Sequence, residues 1–133
     1  MKMDPLNNGV VLHAVPTSPA DVLEHLRFMF AVGIECSCPL VGGGVRVDQL
    51  EATGHYELWK KDLKLVRNLG LRYLRYGPPI HRIYTGPGQY DWSFMDPVMA
   101  EMQRLGIKPI IDLVHFGLPD WLISFQNPDW PAW

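Results

Sequence analysis

The chain has 133 residues, with 12 Lys+Arg against 14 Asp+Glu and a formal charge of −2. That near-neutral balance excludes a binder driven by a clustered basic excess, so no nucleic-acid or membrane-surface partner is expected. At 47% hydrophobic and 20% charged residues the composition is globular and fits one domain.

No apolar run approaches the roughly 18 residues of a membrane span, and the N-terminus lacks the pattern of a secretory leader, so a cytoplasmic setting is expected. Residues 1–27, with Pro5, Pro16 and Pro19 among short apolar pieces, read as a lead-in segment. Residues 28–34, Phe-Met-Phe-Ala-Val-Gly-Ile, form the short continuous apolar run of a buried parallel strand. Cys36 and Cys38 follow at a spacing that rarely permits a disulfide. With no second Cys/His pair at zinc-ligand spacing, they read as structural or free thiols, and no metal or cofactor is expected.

A long loop is expected from Cys38 to about Thr53. Its Gly42-Gly43-Gly44 run lacks the immediately following helix that a phosphate-cradling loop needs. Leu58, Trp59, Leu63, Leu65, Val66 and Leu69 then recur at helical spacing, with Gly70 as terminator. Residues 71–76 read as a second strand. Phe94, Val98, Met102 and Leu105 define a second amphipathic helix ending at Gly106, and residues 109–116 read as a third strand. Alternating strands and helices call for a parallel α/β sheet with its chemistry at the strand carboxyl ends.

Three residues near those ends stand out. Arg75 closes the second strand, His115 the third, and Glu35 follows the first. A charged group beside a parallel core is costly unless paired, so together they suggest a polar pocket; an Arg in a buried ion pair and a His bound to a loop carbonyl would be the structural alternative. Glu35 could bind a substrate hydroxyl, pair with Arg75 or be solvated. Strand parity sets Ile111, Leu113 and His115 on one face and Asp112 on the other, where it either acts as a functional acid or partners a base or an amide. Tyr56, Tyr84, Tyr90, Trp92, Phe116, Trp121 and Trp130 crowd the loops; such rings suit sugar faces and also fill cores.

From Phe28 onward an ordered set of motifs resembles the N-terminal region of glycoside hydrolase family 1, the β-glucosidase-like (β/α)8 barrels. Phe28-Met29-Phe30-Ala31-Val32 is similar to that family's first-strand F-x-F-G-V. His55-Tyr56-Glu57-Leu58-Trp59-Lys60-Lys61-Asp62 is similar to H-Y-x-x-Y-K-E-D, and Arg75-Tyr76 to the start of R-F-S-I-S-W. Leu105-Gly106-Ile107-Lys108-Pro109 and Leu113-Val114-His115-Phe116-Gly117-Leu118-Pro119 are similar to L-x-x-x-I-x-P and L-x-H-W-D-L-P. Gly86-Pro87-Gly88-Gln89-Tyr90-Asp91-Trp92 resembles a phrase of other retaining glycosidase barrels.

The resemblance implies that residues 28–133 are about three β/α units of a (β/α)8 TIM barrel, incomplete before strand four, since a whole barrel takes roughly 250 residues. It implies a carbohydrate, β-glycoside substrate. His115 would then donate to sugar hydroxyls, Phe116 would take the place of a sugar-contacting Trp, and Arg75 would orient the nucleophilic carboxylate, with Glu35 and Trp121 completing the candidate binding residues. Cys38 stands where the family has a sugar-binding Gln, and Gly117 where it has Asp or Asn. The family's acid/base and nucleophile follow its fourth and seventh strands, so no catalytic residue is expected here and the chain alone should be inactive. The alternatives are a non-catalytic sugar-binding module that self-associates through open sheet edges and another barrel enzyme such as an aldolase, against which the lack of a strand-borne Schiff-base Lys counts.

Overall fold

A computed structural model describes residues 30–122, 124 and 126–128. The lead-in segment, Phe28, Met29 and Trp130 lie outside the described residues. At the centre is a three-stranded parallel sheet of β1 (Ala31–Gly33), β4 (Tyr73–Tyr76) and β7 (Lys108–Ile111), with β4 in the middle. Gly33, Arg75 and Ile110 share one row across it, and Val32, Leu74 and Pro109 share another.

Each connection between neighbouring parallel strands carries a long helix: α2 (His55–Asn68) between β1 and β4, and α4 (Met95–Leu105) between β4 and β7. The apolar stripes of both helices meet one sheet face. Leu63 and Val66 of α2 and Met95, Val98 and Met102 of α4 pack on Leu74 and Tyr76, all at most 5% exposed. Gly106 ends α4 in the left-handed conformation at φ 67°, and the following Ile107 N–H returns to the Met102 carbonyl at 2.9 Å.

Within this core His55 is 1% exposed, and its ring is held at both nitrogens, Nδ1 to Asp62 Oδ2 at 2.7 Å and Nε2 to the Tyr76 hydroxyl at 3.0 Å. It is therefore a structural histidine that ties α2 to the central strand. The opposite sheet face, which carries Arg75 and Ile110, has no covering layer among the described residues; Ile110 is 48% exposed. A partial barrel wall has this asymmetry, with helices on its outside and the barrel interior open.

The 38–53 segment is more ordered than its glycine content suggests. A short antiparallel pair, β2 (Leu40–Val41) and β3 (Val45–Arg46), is closed by a 3-10 turn at Gly42–Gly44, where Gly43 and Gly44 take φ of 82° and 76°. The one-turn helix α1 (Gln49–Ala52) follows, capped by Asp48, whose Oδ1 accepts from the Leu50 and Glu51 amides at 3.0 and 3.3 Å. After β4 come α3 (Ile80–Ile83) and a second antiparallel pair, β5 (Tyr84–Gly86) and β6 (Gln89–Tyr90).

One strand is shorter than its apolar text predicts. The third parallel strand stops at Ile111, so the parity assigned to Leu113 and His115 does not apply. Asp112 makes the last ladder bond, N–H to the Tyr76 carbonyl at 3.0 Å, and its side chain then turns to Arg75. Beyond it Leu113 is 77% exposed and Phe116 takes a φ of 58°. Hydrophobicity in 113–116 thus belongs to a loop over the sheet end.

Candidate functional site

The carboxyl ends of β1, β4 and β7 converge on one polar cluster. Arg75, the third residue of β4, extends over the uncovered face and pairs with Asp112, Nη2 to Oδ2 at 2.5 Å. Asp112 Oδ2 is buried and receives no aligned hydrogen bond, so the contact is charge against charge. His115 comes back over the sheet end and places Nδ1 3.3 Å from the Cys36 thiol and 3.7 Å from Glu35 Oε1. Glu35 also accepts from the Ser37 amide at 2.8 Å.

Sequence reasoning about Arg75, Glu35 and His115 thus meets one constellation, joined through Cys36 and Asp112. Glu35 forms no close ion pair with Arg75 among the described residues; its side chain is 53% exposed and touches His115 and the Ser37 amide, neither of which was among its three options. Hydrogen bonds from Ser37, aided by His115 and Arg75, hold its carboxyl below the usual range. Burial pushes the Cys36 thiol up, and the Asp112 and Glu35 charges add to that. Gly77, the first residue after β4, is required by this packing, because a Cβ there would lie 2.3 Å from Cys36 Sγ.

Phe116 and Trp121 part company. Phe116 is 67% exposed beside His115, with ring centroids 5.0 Å apart, and walls an open cleft of about 390 Å³ shared with Leu40, Arg46 and Leu118. Trp121 instead donates Nε1–H to the Tyr84 carbonyl at 3.1 Å and sets its ring edge-on to Tyr84. Its indole is engaged in fixing the β5–β6 pair beneath the loop.

A second cluster lies alongside. His81 Nε2 donates to Asp48 Oδ2 at 2.9 Å and lies 3.6 Å from the Cys38 thiol, while the Tyr56 hydroxyl donates to the same Asp48 oxygen at 2.8 Å. Arg82 stacks on Tyr56 at 3.9 Å, and Arg46 reaches the Cys38 and Leu118 carbonyls and the carboxylate of Asp120. Burial opposes ionisation of Asp48, but hydrogen bonds from Tyr56, the Glu51 amide and His81 keep its carboxyl below the usual range. Burial lowers His81, outweighing Asp48. This network was not foreseen as a unit: its members are spread from residue 38 to residue 82, and only the adjacency of His81 to the second strand hinted at it. Cys36 and Cys38 are both buried free thiols.

The fold and the site define a β/α-barrel segment with a polar pocket at its strand ends. In keeping with that class, the chain is 33% identical over 89 residues to a human cytosolic β-glucosidase, covering 60% of this chain and 19% of the relative. It is 32% identical over 77 residues to a β-D-glucosidase/β-D-fucosidase of Bifidobacterium breve, covering 55% and 17%. A psychrophilic β-glucosidase structure from Micrococcus antarcticus matches with a TM-score of 0.50 at 29% identity, over 63% of this chain and 18% of that one. An aphid myrosinase shares the fold, with a TM-score of 0.57 at 17% identity over 72% and 26%. No family model matches. Over about half its length the chain is thus similar to family 1 β-glucosidases, as a partial (β/α)8 barrel, and it spans under a fifth of the length of these curated relatives. No described helix is long and apolar enough to cross a membrane.

Proposed function

We propose that the chain is the N-terminal portion of a cytoplasmic retaining glycoside hydrolase that cleaves β-glycosides, and that it contributes part of the sugar subsite. The observation that carries this reading is the meeting of Arg75, His115 and Glu35 at the carboxyl ends of three barrel strands, in a chain whose relatives are β-glucosidases. His115 and Glu35 supply hydrogen-bonding groups for sugar hydroxyls, and the exposed Phe116 ring offers a flat apolar face for a pyranose. Arg75, held in place by Asp112, keeps at the sheet end a guanidinium with which a carboxylate above it would pair.

Neither carboxylate of the Arg75 and His115 cluster is suited to serve as the acid. A glycosidase acid must hold its proton near neutral pH, whereas Glu35 is held ionised by Ser37. Asp112 is committed to Arg75. Glu35 is thus unsuited as the acid, and the resemblance to family 1 glycosidases puts both reacting carboxylates outside the described residues, so that on this reading residues 1–133 alone are inactive.

The test is hydrolysis of 4-nitrophenyl β-glucoside by the complete polypeptide carrying this sequence and by residues 1–133. Turnover by the first and none by the second is expected. Turnover by purified residues 1–133 that survives removal of host glycosidases would overturn the assignment. The uncovered sheet face, with Ile110 48% exposed, and the adjoining loop, with Phe116 67% and Leu113 77% exposed, favour a second reading, a self-associating sugar-binding module. A discrete dimer in sedimentation would support it.

A further inference from the structure

The geometry points to a binding site for a thiophilic divalent cation of the zinc type, formed by Cys36 Sγ, His115 Nδ1 and a carboxylate oxygen of Asp112. The three donor atoms lie within 4.8 Å of one another, with sulfur and nitrogen 3.3 Å apart. Zinc–sulfur and zinc–nitrogen bonds of about 2.3 and 2.0 Å at a tetrahedral angle separate the two donors by about 3.5 Å, so the sulfur and nitrogen already stand close to the separation of two zinc ligands. Glu35 Oε1, 3.7 Å from His115 Nδ1, is within reach as a fourth donor. Without it the ion keeps an open position of the kind that binds water or a ligand oxygen.

The partners that the donor atoms already hold separate this site from its neighbour. Around Cys36 the Asp112 and Glu35 carboxylates face a single guanidinium, Arg75, so a thiolate there leaves two negative charges for a divalent ion to neutralise. The Cys38, Asp48 and His81 group also brings three donors together, but Arg46 lies 3.7 Å from Cys38 Sγ and Arg82 3.6 Å from Asp48 Oδ2. Its Asp48 oxygens are already taken by two backbone amides, Tyr56 and His81. Asp112 Oδ2, by contrast, accepts no aligned hydrogen bond and is held by the Arg75 ion pair alone, which a bound cation would share or displace. The donors come from the ends of the first and third parallel strands, 79 residues apart for Cys36 and His115, which is why no ligand spacing betrays them in the sequence.

The test is anaerobic titration of the complete polypeptide with Co2+, reading the thiolate-to-cobalt charge-transfer absorption, followed by displacement with Zn2+. The expected result is one equivalent bound with that absorption, abolished in Cys36→Ser, weakened at least about tenfold in Asp112→Asn and His115→Ala, and unchanged in Cys38→Ser. Near-ultraviolet circular dichroism checks that each variant is folded, and a misfolded Cys36→Ser is replaced by Cys36→Ala. No charge-transfer absorption, or one that survives loss of the Cys36 thiol or vanishes with Cys38, would overturn the site. Glycosidase activity is not the readout, so this outcome is independent of the proposed function.

Discussion

Arg75 and Asp112 face each other across neighbouring strands, guanidinium to carboxylate at 2.5 Å, at the carboxyl end of the sheet. Their side chains are 46% and 27% exposed, so solvent screening limits what the pair adds to stability. Asp112→Asn is expected to cost no more than about 1 kcal/mol in urea unfolding. Under the proposed function, Arg75→Ala lowers kcat far more than its stability loss would suggest, because the guanidinium's role is to hold charge above the sheet. Parallel denaturation and initial-rate measurements separate the two effects.

The His55 network is structural and should behave differently. Tyr76→Phe removes one hydrogen bond from a buried imidazole and is expected to destabilise by about 1–2 kcal/mol. His55→Ala loses both partners and leaves a cavity, with a larger expected cost of about 3 kcal/mol. Urea midpoints would check both, with sugar affinity unchanged in Tyr76→Phe.

Gly77→Ala drives a methyl to 2.3 Å from Cys36 Sγ and forces the thiol away from His115. Overpacking of this kind costs about 1–3 kcal/mol. Cys36→Ala in the same chain should recover part of it, and a double-mutant cycle reads the coupling. Additive effects would show that the two positions do not touch.

Acid should destabilise the chain in two stages. His81 has a folded pKa below its ordinary 6.5, so it favours the folded state fully above 6.5 and loses that contribution as pH falls towards the folded value. The carboxyls of Asp48 and Glu35 also sit below their ordinary 3.8 and 4.5, and their contributions are present above those values and lost beneath them. Thermal melts from pH 8 to pH 3 should fall first near 6.5 and more steeply under about 4.5. His81→Gln should flatten the upper stage and, by removing a hydrogen bond that holds Asp48 ionised, shrink the Asp48 share of the lower one.

The layered core was legible because it is written in local periodicity. Leu63, Val66, Val98 and Met102 recur at helical spacing, and they are the residues that cover the sheet. Composition misled at 113–116, where Leu113 and Phe116 look like strand and are exposed loop. The pocket was half legible: Arg75, His115 and Glu35 mark strand ends, but Cys36 and Gly77 acquire their roles only when two strand ends meet. The Asp48, Tyr56 and His81 network was hidden for the same reason, since its hydrogen bonds join residues 8 and 33 positions apart.

The role of His115 in a β-glycosidase is read from kcat/KM for 4-nitrophenyl β-glucoside, measured on the complete polypeptide produced from its native locus, beside its His115→Ala variant. Turnover by the wild type and at least a tenfold loss in the folded variant are expected. A folded wild-type polypeptide without turnover, or equal rates for the two, would contradict that role.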